Sequence, residues 1–440
     1  MKYYSTNGKA PIADLHKAVV KGLAEDRGLY MPEKINKLPK EFFDNIEKMS
    51  FQEIAYTVAS AFFGEDVDPD ALHDIVYDTL QFDCPVVNVK DNIYTLELFH
   101  GPTLAFKDVG ARFMARLLQY FIKQENNHKE VNVLVATSGD TGSAVANGFL
   151  GVDGIHVYVL YPKGKVSPIQ ECQFTTLGKN ITAIEVDGVF DDCQALVKNA
   201  FMDAELNEHM KLTSANSINV ARFLPQAFYY FNAYARMKKI ANTQHLSPNT
   251  QLVMCVPSGN FGNICAALFG HEMGLPIKRF IAANNANDIF YNYLQTGKYE
   301  PKPSKQTLAN AMDVGDPSNF ARIYDLYGKS HAKITSLISG ATYSDEQIKA
   351  TMRECYKDSG YILDPHGACG YQALKDGLQA GEVGVFCETA HPAKFKEKVD
   401  DILGIDVEIP ERLAAFMRGQ KQSVPMSKDF ADFKDYLMRQ

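Results

Sequence analysis

QLVMCVPSGNFGNICAALFG, residues 251–270, decides how the rest of the chain is read. It opens with an uninterrupted apolar run, the mark of a strand buried on both faces of a parallel sheet. It then turns through Ser258-Gly259-Asn260-Phe261-Gly262-Asn263 into an apolar helix. In such a joint the glycines let the backbone approach a ligand, and the free N–H groups and dipole of the helix attract an anion. No lysine lies inside the turn, so it is not a Walker A loop. Taken alone, the turn reads equally as a phosphate cradle or as a plain strand-to-helix joint.

A second joint of the same kind is ATSGDTGSAVANGF, residues 136–149, where the run VNVLVAT meets Ser138-Gly139-Asp140-Thr141-Gly142. Its hydroxyls and N–H groups suit a smaller anion such as a substrate carboxylate, and Asp140 disfavours a highly charged phosphate. Neither joint spells the dinucleotide fingerprint followed by an acidic residue about twenty positions on. The third element is HGPTLAFKDVGARFM, residues 100–114, with Lys107 between an apolar tripeptide and a helix. A lysine held against apolar neighbours can react as the neutral amine, and only that form makes a Schiff base. The competing reading is a lysine whose stem lies on the surface at a helix start.

Working outward, strand-like runs at 131–137, 154–162, 182–188, 251–257 and 382–389 alternate with helical stretches such as 108–124 and 191–207, the latter opened by Asp191. Alternation of this kind predicts an α/β fold with open parallel sheets in two lobes. The expected division is an N-terminal domain over 1–90, a smaller lobe over 91–235, and a larger lobe over 236–440 with a helical insertion at about 285–360. Within the first of these, LHKAVVKGLAEDRG reads as a helix that Gly28 can end.

Composition narrows the function. At 440 residues, with 46% hydrophobic and 22% charged residues, the chain is an ordinary globular protein rather than a disordered or fibrous one. Its net charge of −8 disfavours nucleic acid as a partner. The eight cysteines are scattered without a CxxC pair, so reduced thiols are expected, and no histidine or cysteine cluster suggests a metal. The N-terminal MKYYSTNGKAPIADLHKAVV lacks an apolar signal core, and no run approaches the roughly 18 apolar residues of a membrane span. A cytoplasmic protein is expected, and nothing in the pattern opposes a monomer.

HGPTLAFKD, SGDTG, GKVSPIQ, NSINVARF, PSGNFGN and ETAHPAKF, with YYSTNG and DRGLYMPE near the start, together resemble threonine synthases, fold type II enzymes that depend on pyridoxal 5′-phosphate. Order and spacing match over essentially the whole chain. The resemblance implies that Lys107 forms the Schiff base with the cofactor, that Gly259, Asn260, Phe261, Gly262 and Asn263 cradle its phosphate, and that Thr389 faces its ring nitrogen. A hydroxyl there cannot hold the ring nitrogen protonated as a carboxylate could, which suits elimination and replacement rather than transamination. The resemblance further implies that Ser138, Gly139, Asp140, Thr141 and Gly142 bind the substrate carboxylate. Asn216 and Arg222 would lie near the substrate phosphate, with Lys163 and Lys165 as competitors. The expected reaction turns O-phospho-L-homoserine and water into L-threonine and phosphate. The alternatives are another fold type II lyase, such as a threonine or serine dehydratase, and a non-catalytic binder of the cofactor or a phosphoester. Glu388 and His391, beside Thr389, read as structural neighbours that face water or bond locally.

Overall fold

The computed structural model describes residues 1–125, 129–244 and 249–440. The chain forms two compact units from interleaved stretches: 1–32, 102–222 and 409–440 make the first, and 33–101 with 223–408 the second. The expected cuts at 90/91 and 235/236 follow changes in sequence character. The units instead follow which strands pair, and the N-terminal 90 residues contribute to both.

In the first unit, five parallel strands lie in the order Val424–Ser427, Ile181–Asp187, Ile155–Pro162, Val131–Ala136 and Lys211–Ser214. Val131–Ala136 is buried at every position, as its unbroken apolar sequence requires of a strand covered on both faces. A separate antiparallel sheet joins Ala13–Asp14, Lys2–Ser5 and Tyr30–Pro32. The helix that follows it, Leu15–Lys21, is shorter than its sequence suggests, because Gly22 caps it at φ +74°. Gly28 serves close approach instead: a Cβ there would come 1.9 Å from the Ser5 hydroxyl. The helix expected from Asp191 starts at Phe190, and Asp192 closes its first turn by accepting the Val189 N–H at 2.8 Å.

The second unit holds six strands in the order Ile338–Thr342, Arg279–Asn284, Gln251–Pro257, Glu382–Glu388, Ile93–Glu97 and Val86–Lys90. All neighbours are parallel except the last pair. The region 285–360 is helical at Ile289–Thr296, Phe320–Leu326, His331–Leu337 and Asp345–Ser359. It also supplies the edge strand Ile338–Thr342, whose sequence ISGAT has no apolar run to announce it and which pairing with Arg279–Asn284 recruits.

Glu382 begins its strand with a fully buried side chain that pairs with Arg279 at 2.7 Å and Lys278 at 3.0 Å. The Arg279 guanidinium foremost, with the Gln379 N–H and Lys278, holds the carboxyl down at about 2. The folded pKa lies below the unfolded one, so this contribution to stability is complete above about 4.5 and is lost as pH falls toward 2. Glu382→Gln should therefore cost on the order of 2 kcal/mol at neutral pH. It should also flatten the acid limb of the stability profile, as urea midpoints at neutral and acid pH would register.

Candidate active site

In the first unit, the turn after Val131–Ala136 is built around Thr137. Its buried hydroxyl accepts the N–H of Gly139 at 2.9 Å and of Gly142 at 2.8 Å, folding Ser138–Gly142 back over the strand end. Gly139 sits at φ +142°, a conformation that side chains rarely adopt. The helix Asp140–Phe149 follows, and Ser143 ties it down through its hydroxyl on the Gly139 carbonyl at 2.9 Å. Gln170 is fully buried and donates to Asp140 at 2.9 Å, fixing that carboxylate. Gln170 ends the segment GKVSPIQ, and nothing local in that sequence marks it as the brace of this loop.

Lys107 opens the helix Lys107–Gln124, and its Nζ lies 2.6 Å from the Thr141 hydroxyl. Two features upstream shape this approach. Leu104 holds φ +61°, a strained setting for a branched side chain, and Asp108 accepts both the N–H and the hydroxyl of Thr103, at 2.9 and 2.6 Å. The expected amine and the expected carboxylate loop thus meet at the carboxyl edge of a parallel sheet, where ligands of such folds bind.

Asn216 and Arg222 lie in the same unit. The Asn216 amide is engaged at both ends with Ala136, donating to the carbonyl at 3.0 Å and accepting the N–H at 3.3 Å. Arg222 is buried, with a guanidinium N–H on the Ala215 carbonyl. Burial pulls its pKa down to about 10, and the Asp108 carboxylate nearby acts in the opposite sense. Lys163 and Lys165, after the strand Ile155–Pro162, are exposed.

In the second unit, the turn 258–263 is braced by amide side chains. Asn263 donates to the Pro257 carbonyl at 2.8 Å and accepts the Ser258 hydroxyl at 3.2 Å, while Asn284 donates to the Ser258 carbonyl at 3.0 Å. The Asn260 carbonyl accepts the Asn319 N–H at 3.1 Å. Phe261 adopts the left-handed conformation at φ +65° and packs against Phe290, ring centroids 4.6 Å apart. Among the described residues, no hydrogen bond engages the backbone N–H groups of Gly259, Asn260, Phe261, Gly262 or Asn263. Five successive donors with no partner among the described residues, at the start of the helix Gly262–Glu272, fit a phosphate group.

Thr389 follows Glu382–Glu388, the strand adjacent and parallel to Gln251–Pro257, so it stands at the same sheet edge as the turn 258–263. It is 7% exposed, and no hydrogen bond among the described residues engages its hydroxyl. His391 caps the next turn by accepting the Ala393 N–H at 3.0 Å. Of the two expectations for Glu388, facing water does not hold: it is wholly buried, and its carboxylate accepts the Asp364 N–H at 2.6 Å.

Comparison with known proteins gives these features a family. Residues 82–387 match the pyridoxal-phosphate dependent enzymes, residues 2–80 the threonine synthase N terminus, and residues 367–437 the threonine synthase C-terminal family. The chain belongs to the threonine synthase family of pyridoxal-phosphate dependent enzymes. It is 43% identical to the threonine synthase of Serratia marcescens over 438 residues, covering all of this chain and 99% of the relative. The crystal structure of threonine synthase from Escherichia coli superposes with a TM-score of 0.92 at 43% identity, with both chains fully covered. The pyridoxal-phosphate-bound threonine synthase from Brucella melitensis gives 0.90 at 34% identity, covering all of this chain and 99% of that one. The α/β class with parallel sheets is that of this family, and its cofactor matches the donor set of residues 259–263.

Proposed function

We propose that the chain converts O-phospho-L-homoserine and water into L-threonine and phosphate, the last step of threonine biosynthesis. The observation that carries this reading is the 2.6 Å contact between Lys107 Nζ and Thr141, which sets an amine at the loop suited to a substrate carboxylate.

Gly259–Asn263 would hold the cofactor phosphate with their N–H groups, Thr389 would meet the ring nitrogen, and Lys107 would join the carbonyl carbon. Bound pyridoxal 5′-phosphate supplies an electron sink for the pair left when the α-proton departs. Ser138–Gly142 would orient the substrate by its carboxylate, with Asp140 kept in place by Gln170. Lys107 Nζ, steered by the Thr141 hydroxyl, would take the α-proton and move protons between neighbouring carbons. The C–O bond at the γ-carbon breaks with its electron pair leaving on phosphate. The β-carbon gives up a proton, the γ-carbon gains one to become the methyl group, and water adds its oxygen to the β-carbon with one of its protons ending on the phosphate, while the α-carbon regains its proton. Asn216 and Arg222 remain the candidates for the phosphate end, against exposed Lys163 and Lys165. A variant set should decide: Arg222→Ala raising KM for the phosphorylated substrate by about tenfold or more would favour the arginine. The same rise in Lys163→Ala or Lys165→Ala would favour the lysines.

The reading is supported further by net charge, which suits small-molecule rather than polyanionic partners. No helix among the described residues is long and apolar enough to cross a membrane. We place the enzyme in the cytoplasm, with which eight free cysteines, seven of them buried, are consistent. The test is product analysis with the cofactor-loaded protein. Equal amounts of threonine and phosphate from O-phospho-L-homoserine are expected. A keto acid from threonine or serine, without action on the phosphoester, would make it a dehydratase, and no turnover of either would make it a binder.

A further inference from the structure

Outside the groups used so far, the second unit contains one buried carboxyl arrangement that no step above employs. Glu388 and Asp364 both have side chains without solvent exposure. Glu388 Oε1 accepts the Asp364 N–H at 2.6 Å, while its Oε2, equally buried, receives no donor. The backbone closes tightly on that oxygen, since a Cβ on Gly367 would lie 1.6 Å from it.

Asp364 is richly supplied. It accepts the Gly367 N–H at 2.8 Å, the His366 N–H at 3.3 Å and, at 2.5 Å, the His366 ring Nδ1. His366 Nε2 in turn accepts the Ala311 N–H at 3.1 Å, so the ring proton sits on Nδ1 and points at Asp364. Ala311 lies in the 3₁₀ turn Asn310–Met312, and its carbonyl is packed against the phosphate turn, 2.4 Å from where a Gly259 Cβ would be. One continuous path therefore runs from the residue before Thr389, through Glu388, Asp364, His366 and Ala311, to Gly259.

Two buried carboxyls on residues already joined through the Asp364 N–H cannot both be charged without cost, and one proton between them would satisfy both. Asp364 already accepts three donors, so the proton belongs on Glu388, whose Oε2 otherwise has nothing to face. Burial foremost, and then the Asp364 charge and hydrogen bond, push the Glu388 carboxyl well above its usual range. Among the described residues, Glu97, Tyr361, which donates to Glu97 at 2.9 Å, and the Cys387 thiol also interact electrostatically with it.

We propose that Glu388 is a positioning residue: as a neutral acid donating to Asp364, it locks the strand end carrying Thr389 to the Asp364–His366–Ala311 path that backs Gly259. It acts through these groups and touches neither substrate nor cofactor. The inference rests on the cofactor roles assigned above to Thr389 and Gly259.

Glutamine can reproduce both bonds, its carbonyl accepting the Asp364 N–H and its amide donating to the Asp364 carboxylate, whereas leucine fills the space and makes neither. In the holoenzyme at neutral pH, infrared difference spectra of wild type against Glu388→Gln should show the carbonyl stretch of a protonated carboxylic acid, lost in the variant. Glu388→Leu should weaken cofactor binding and lower kcat by about tenfold or more, with the absorption band of the bound cofactor altered, and Glu388→Gln should restore all three. His366→Ala should weaken cofactor binding about tenfold through the freed Ala311 N–H. Absence of the acid band, glutamine behaving like leucine, or leucine behaving like wild type would each overturn the proposal. Because the infrared band is read without substrate, its absence would overturn the proposal even if Glu388→Leu does not fold or if the reaction proves to be a different one.

Discussion

Lys107→Ala is expected to leave a folded protein with no measurable turnover. Lys107 is the first residue of a long helix, partly exposed, and its Nζ bonds Thr141 at 2.6 Å. Alanine keeps the helix start, and a substitution at a partly exposed site changes stability by about 1 kcal/mol or less. What is lost is the amine that bonds Thr141 of the carboxylate loop, and with it both covalent attachment of the cofactor and proton transfer at the α-carbon. Proton transfer by a positioned side chain is worth about 10²–10⁴-fold by itself, so the combined loss should reach on the order of 10⁴-fold or beyond. The visible band of the lysine-bound cofactor should vanish with it. Denaturation midpoints, absorption spectra and phosphate release measure the three quantities separately. A variant that keeps either the band or the turnover would remove Lys107 from its role.

The second large effect is expected at Gly259. A Cβ there would lie 2.4 Å from the Ala311 carbonyl oxygen and 3.1 Å from the Met312 Cα, both backbone atoms that no side-chain rotation can clear. Either the turn 258–263 or the turn Asn310–Met312 must shift. Since the five N–H donors at 259–263 are placed by this backbone, a displacement near 1 Å should weaken cofactor binding by about ten- to a hundredfold. Gly259→Ala should regain part of its activity at high cofactor concentration, because the defect lies in affinity rather than in proton transfer. Equilibrium titration with pyridoxal 5′-phosphate is the check, and unchanged affinity would take the phosphate away from this turn.

Much of this architecture was legible from residues alone. Continuous apolar runs such as QLVMCVP and VNVLVA announce parallel strands because a strand covered on both faces has no polar side to show. The joints at 138–142 and 258–263 were legible because glycine and hydroxyl residues at a strand end have a definite backbone consequence. The interleaving of the two units was not, since it depends on strand pairing between residues hundreds of positions apart, as between Ile93–Glu97 and Glu382–Glu388. ISGAT and VPMS are strands only by virtue of their neighbours. Glu388 misleads for a related reason. At a strand end a carboxylate ordinarily meets water, and its partner Asp364 stands 24 residues away with no local signal joining them. Gln170 and Ala311 likewise act through contacts that a linear pattern does not carry.

The most direct test of the central claim is to run the reaction with O-phospho-L-homoserine in water enriched in heavy oxygen and to follow the label. Breaking the C–O bond at the γ-carbon and adding water at the β-carbon predicts one labelled oxygen in the threonine hydroxyl and unlabelled phosphate. Label in the phosphate, with homoserine instead of threonine, would show simple ester hydrolysis and contradict the account.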